Sequence, residues 1–144
     1  MAWFEDLSPC SYFGLEPAST LKAIGWLERG QEFKVGQSTE PIYRRLVTLC
    51  REPWQPAVSC GVHECDLCLY EPGAKGAANV FIPADGFLYV CPQLIAHYMN
   101  AHGYLPPDEF SRAVLSCPEM RSVEYMKAVL ANGGRSLVSS SHHS

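Results

Sequence analysis

The sequence lacks a long apolar segment and a secretory leader. No apolar run approaches the ~20 residues that a membrane helix requires. The chain begins Met1-Ala2-Trp3-Phe4-Glu5-Asp6, which is acidic where a signal peptide would be basic and then apolar. We therefore expect a soluble cytoplasmic protein that does not bind membranes.

The sequence also has no cluster and no large excess of charges of one sign. The formal net charge is −4, and acids and bases are scattered along the chain. A nucleic-acid-binding protein would normally carry a basic face, so nucleic acid is not an expected partner. The hydrophobic fraction of 47% is that of a globular protein, and 144 residues fit one domain. We expect a single domain over residues 1–135 and a disordered Ser/His-rich tail over residues 136–144.

Familiar catalytic motifs are absent. The sequence has no glycine-rich phosphate loop and no Gly-x-Ser-x-Gly elbow. Zinc deaminases need His-x-Glu followed by Pro-Cys-x-x-Cys, whereas His63 and Glu64 are adjacent here and no proline precedes Cys65. These absences favour a protein that is not an enzyme, although they leave the question open.

Cysteine, in contrast, is abundant. The chain has seven cysteines, an odd number, and no leader for an oxidising compartment. We therefore expect reduced thiols, some of which serve as metal ligands. Cys10, Cys50 and Cys117 have no ligand-like neighbours and are expected to be small buried apolar residues.

The pattern that carries chemistry is Cys65-x-x-Cys68 followed by His97 and His102. Two residues between the cysteines allow one tight turn to direct both sulfurs at a single ion, and the histidine spacing is also that of ligand pairs. Positions five apart on an ideal helix are rotated by about 140°. His102 must therefore lie where the helix tightens or frays, which Gly103 permits. We predict a structural Cys2His2 site for Zn²⁺.

Three neighbouring residues leave the ligand set open. His63 directly precedes the cysteine pair, and Cys60-x-x-His63 has ligand spacing itself. A histidine beside a metal site is more often a hydrogen-bond partner of a ligand than a ligand. Cys91, just before the histidine segment, is a weaker candidate. An open coordination site near His63 and Glu64 would instead make the protein a zinc-dependent metalloenzyme.

The residue pattern predicts an α+β fold, with several helices around a small antiparallel β-hairpin sheet. Asp85-Gly86 between two apolar runs predicts a hairpin over residues 79–90. Helices are expected over residues 20–30, 41–52, 92–102 and 108–115, with a last one over 123–130. Residues 57–62 have β-like content. The order of cysteine turn, hairpin and histidine helix is that of a zinc finger enlarged by a loop.

Aromatic residues are concentrated in the first part of the chain. Most should be buried, because large aromatic side chains dominate cores. A few could form an exposed patch for a protein partner, which favours an interaction or adaptor module held together by structural zinc. The residues concerned are Trp3, Phe4, Tyr12, Phe13, Trp26 and Trp54.

Several segments together resemble a family of uncharacterised bacterial proteins. They are Asp6-Leu7-Ser8-Pro9-Cys10, Gly25-Trp26-Leu27-Glu28, the residues from Gly61 to Cys68, and those from Pro92 to Phe110. The resemblance covers nearly all of the chain before the tail. It implies a compact domain of unknown function and assigns no catalytic residue.

Overall fold

The computed structural model describes residues 3–11, 20–56, 63–68 and 75–141. Within these ranges the fold is α+β, as predicted, with five helices and a small mixed sheet. The strands are β1 (Leu21–Ala23), β2 (His63–Glu64), β3 (Lys75–Gly76), β4 (Asn79–Pro83) and β5 (Leu88–Pro92). The helices are α1 (Glu40–Arg51), α2 (Ile95–His102), α3 (Asp108–Ser116), α4 (Val123–Ala131) and α5 (Arg135–Ser141).

The main sheet has the strand order β1-β5-β4. β4 and β5 form the predicted antiparallel hairpin, in which Phe81 pairs with Val90. Both strands are almost entirely buried, because helices cover them: the hydroxyl of Tyr125 in α4, for example, donates to Phe81 O at 2.6 Å. A second, two-stranded ribbon pairs β2 with β3.

The prediction of a helix over residues 20–30 is wrong. Leu21–Ala23 form β1, which pairs parallel with β5 and makes the sheet mixed rather than purely antiparallel. Leu21 and Ala23 are buried on either side of the more exposed Lys22, so the alternation of a strand prevails over the helical spacing of the apolar residues. The other edge of β1 is also paired, since Cys10 N–H donates to Leu21 O at 2.9 Å.

The other helices lie close to their predicted positions. The helix of residues 92–102 begins later than expected, because Pro92 continues β5 and pairs with Asn79. Arg135–Ser141 form α5, with Leu137 buried against the core. The β-like run of residues 57–62 and the last residues, 142–144, lie outside the described residues. No helix among the described residues is both long enough and apolar enough to cross a bilayer.

The absence of a side chain at Gly25 allows α2 to pack closely against the chain that follows β1. Gly25 has φ of 74°, and a Cβ atom there would lie 3.2 Å from the side chain of Ile95 in α2. The next residue, Trp26, is fully buried and donates its indole N–H to Val90 O at 3.0 Å. The Gly-Trp pair thus lets α2 approach closely and joins the chain to the central strand.

A half-buried carboxylate joins the N-terminal segment to the end of α2. Asp6 accepts hydrogen bonds from Gly25 N–H at 3.0 Å and from the Tyr104 hydroxyl at 2.7 Å. Burial raises the pKa of Asp6, although both hydrogen bonds oppose this shift. Because Tyr104 lies two residues after the end of α2, this contact fixes the chain close to His102.

We expect Tyr104→Phe to lower the free energy of unfolding by about 1.5–3 kcal/mol, because a carboxylate oxygen of Asp6 loses its donor. Urea denaturation measures the effect. Tyr98→Phe is the matched control, since Tyr98 is as deeply buried but its hydroxyl has no hydrogen-bond partner among the described residues. Equal losses in the two variants would contradict this account of Asp6.

Candidate metal centre

The ribbon of β2 and β3 positions the two cysteines. β2 ends at Glu64, Cys65 follows, and Asp66-Leu67 form a turn that leads to Cys68. Gly76 of β3 packs against the residues that precede α2: a Cβ there would lie 3.4 Å from Gln93. The ribbon therefore places the cysteine turn, residues 65–68, beside the helix that carries the histidines.

Arg29 holds the cysteine turn from the other side. Its backbone N–H donates to the Asp66 carboxylate at 2.7 Å, and its Nε–H donates to Asp66 O at 3.0 Å. Its Nη2–H donates to Cys68 O at 3.0 Å. One residue thus makes three hydrogen bonds to a turn that follows it by 37 to 39 positions.

The end of α2 brings the two histidines together. The closing hydrogen bond runs from Gly103 N–H to Tyr98 O and spans five residues, the wide spacing of a π-turn. A wider turn reduces the angle between positions five apart, so the imidazole rings of His97 and His102 lie only 5.1 Å apart between centroids. Gly103 itself adopts a left-handed conformation with φ of 68°.

Four donor atoms converge between the cysteine turn and α2. One atom from each of Cys65, Cys68, His97 and His102 lies within 4.8 Å of all the others. Cys65 Sγ lies 3.4 Å from His102 Nε2, and Cys68 Sγ lies 3.3 Å from His97 Nε2 and 3.7 Å from His102 Nε2. This arrangement is compatible with metal binding through two sulfurs and two nitrogens.

Burial affects the protonation of this cluster. It raises the pKa of the Cys65 thiol, and the neighbouring Cys68 raises it further, against the backbone hydrogen bond from Leu67. It lowers the pKa of His97, and the nearby His102 lowers it further. His97 is therefore neutral at physiological pH, the form in which imidazole binds metals, whereas Cys65 must lose a proton to become a ligand.

Cys91, the additional ligand candidate whose side chain the structure describes, does not join this cluster. Cys91 lies fully buried in the central strand β5 and is not among the grouped donors, because its place in the strand directs it into the core. Glu64 is exposed in β2. Cys60 and the side chain of His63 lie outside the described residues, so their relation to the cluster stays a prediction.

Sequence reasoning missed the residues that hold the ligands in place. The sequence around Arg29 gives no signal of this role, because its partners in the cysteine turn lie 37 and 39 positions later in the chain. Gln93 is similar: its side chain donates to Cys50 O at 2.8 Å, and its backbone N–H donates to Ala78 O at 2.9 Å. The sequence does offer a signal for Gly25, which lies in one of the segments that carry the family resemblance.

Comparison with known proteins agrees with this resemblance. A family model described as a domain of unknown function (DUF7919) matches residues 2–115, which include all four clustered side chains. The chain belongs to this family. No curated protein and no solved structure gives a significant match to the chain.

We expect Arg29→Ala to loosen the cysteine turn, because the two hydrogen bonds of the guanidinium group are lost while the backbone N–H of residue 29 still donates to Asp66. Amide hydrogen exchange of residues 64–68 should accelerate by about tenfold or more, the equivalent of about 1.4 kcal/mol. Arg44→Ala is the matched control, since Arg44 is exposed on α1 and pairs only with Glu40 of the same helix among the described residues. Unchanged exchange in Arg29→Ala would show that the guanidinium group is not needed to hold the turn.

Proposed function

We propose that the chain is a zinc-binding domain in which one structural Zn²⁺ joins the cysteine turn to α2. The distances between donors support this assignment. With Zn–S bonds of about 2.3 Å and Zn–N bonds of about 2.0–2.1 Å, a tetrahedral ion places sulfur and nitrogen about 3.5 Å apart. The sulfur–nitrogen separations of 3.3, 3.4 and 3.7 Å match that value, and this is the observation that carries the proposal.

The donor set favours a structural role over a catalytic one. Catalytic zinc commonly has three protein ligands and keeps one position for water, whereas Cys2His2 completes the tetrahedron. A cavity of about 530 Å³ does lie at the end of α2, but it is lined by other residues, including Met99, Asn100 and Gly103, and by none of the four donors. The metalloenzyme alternative near His63 and Glu64 gains no support from this geometry.

The site would join the cysteine turn and its short ribbon to α2, in addition to the hydrogen bonds from Arg29. β2 and β3 are two residues each, and a two-stranded ribbon is at best marginally stable in water. An ion bound at the cysteine turn would tie this ribbon to α2, which is anchored in the core through Ile95 and Tyr98. We infer that zinc stabilises the fold of a small interaction module and does not take part in catalysis.

Removing the metal or a ligand should destabilise the domain. Binding of structural zinc contributes to folding, so a strong chelator or Cys68→Ser should lower Tm by about 10 °C or more. Elemental analysis should find about one zinc per wild-type chain and much less in Cys68→Ser. Cys117→Ala is the matched control, because Cys117 is a buried thiol outside the cluster and its loss should leave zinc content unchanged. A metal-free preparation with unchanged Tm would refute the structural role.

Zinc affinity should fall as pH falls from 8 to 6. Burial raises the pKa of Cys65, so protons compete with the metal for this thiol throughout that range. The pKa of His97 lies below its ordinary value of 6.5, so protons compete for this imidazole only at lower pH. We expect a loss of about tenfold per pH unit for each thiol that must lose a proton. Competition with a chromophoric chelator measures it, and pH-independent affinity would argue against thiolate ligands.

A further inference from the structure

A small groove lies away from the clustered donors, where the N-terminal segment meets the chain around residue 33. Its volume is about 330 Å³, at the lower end of the range of about 300–1,000 Å³ for ligand sites. Trp3, Phe4 and Phe33 line it, together with Pro107. Trp3 is 38% exposed, which is unusual for the largest side chain. The groove is therefore an accessible aromatic surface of the size of one side chain or small ligand.

Two of its aromatic walls are fixed by the core. The ring of Phe4 packs edge-to-face on Trp26 at 5.4 Å between centroids, and that of Phe33 packs on Tyr104 at 6.1 Å. Trp26 and Tyr104 are both buried. Because edge-to-face contacts hold these rings in place, little conformational entropy is lost when a ligand binds between them.

The charged residues of the groove are mainly acidic. Glu5, Asp6 and Glu32 line it against a single lysine, Lys34. Asp6 is already engaged by Gly25 N–H and the Tyr104 hydroxyl, whereas Glu5 and Glu32 are exposed. Aromatic faces attract cations through their quadrupole, and nearby carboxylates add to this attraction. An acidic peptide or a nucleic acid would meet three carboxylates and one ammonium group.

We propose that this groove binds the lysine or arginine side chain of a basic segment in a partner protein. The cationic head lies on the aromatic rings of Trp3 and Phe33, beside the carboxylates of Glu5 and Glu32. The ammonium group of Lys34 repels the cationic head and so weakens binding. The proposal rests on the interaction-module role proposed above, for which it supplies the chemistry of the partner.

The test uses the full zinc-loaded chain, labelled with nitrogen-15, and hexalysine as the probe. The indole N–H resonance of Trp3 should shift during titration. That of Trp26 should not, since its indole is buried and bonded to Val90 O. Hexaglutamate should shift neither. An unchanged Trp3 resonance with hexalysine, or equal shifts with both peptides, would overturn the proposal.

Charge variants separate this groove from the general attraction of an acidic protein. Glu32→Gln should raise the Kd for hexalysine about two- to fivefold, and Lys34→Gln should lower it by a similar factor. Glu124→Gln is the matched control, because it makes the same change in net charge on the exposed face of α4 and should leave Kd unchanged. Equal effects of Glu32→Gln and Glu124→Gln would overturn a specific groove.

Zinc content measured on the same sample keeps the two proposals apart. A chain that carries one zinc but does not bind hexalysine overturns the groove proposal alone. A stable chain without zinc that still shifts Trp3 supports the groove and overturns the structural-zinc proposal. Trp3→Ala removes this resonance, so hexalysine binding by the variant is measured by calorimetry. It should weaken by about tenfold or more while zinc content stays unchanged, because Trp3 is not among the four clustered donors.

Discussion

The arrangement of the candidate metal centre depends on one stretch of chain, residues 24–36, which contacts both the cysteine turn and the residue that follows the histidine helix. Arg29 donates hydrogen bonds to the cysteine turn. Seven residues later, Gly36 N–H donates to Gly103 O at 2.9 Å, directly after the histidine helix. Near the start of the same stretch, α2 packs against Gly25. The distance between thiols and imidazoles is therefore set by irregular chain as well as by the strands and helices.

The candidate site was largely predictable from the sequence, because ligand spacing is a local property. Two residues separate Cys65 from Cys68 and four separate His97 from His102, so each pair is visible in the sequence without knowledge of the fold. The structure shows in addition that the donor atoms of the two pairs lie within 4.8 Å of one another. The residues that make them meet were not predictable, since the contacts of Arg29 with the turn cross 37 to 39 positions.

The fold was predictable where turns and helix starts are marked by proline and glycine. Pro41 lies in the first turn of α1 and Asp85-Gly86 lies in the turn of the hairpin, as the pattern indicated. Leu21–Ala23 were misassigned because a three-residue strand offers too few positions to distinguish period 2 from period 3.6. The strand conformation of β1 depends on hydrogen-bonded partners at both of its edges. These are β5 and residues 7–10, which only the tertiary structure reveals.

Two buried cysteines outside the cluster are protected from thiol reagents by the fold. Burial raises the pKa of Cys50 to about 12 and that of Cys117 to about 11. Both are therefore protonated at neutral pH, and a protonated, inaccessible thiol reacts slowly with oxidants and alkylating agents. Modification of these two residues requires the core to open, so their rate of alkylation reports how often the native state unfolds.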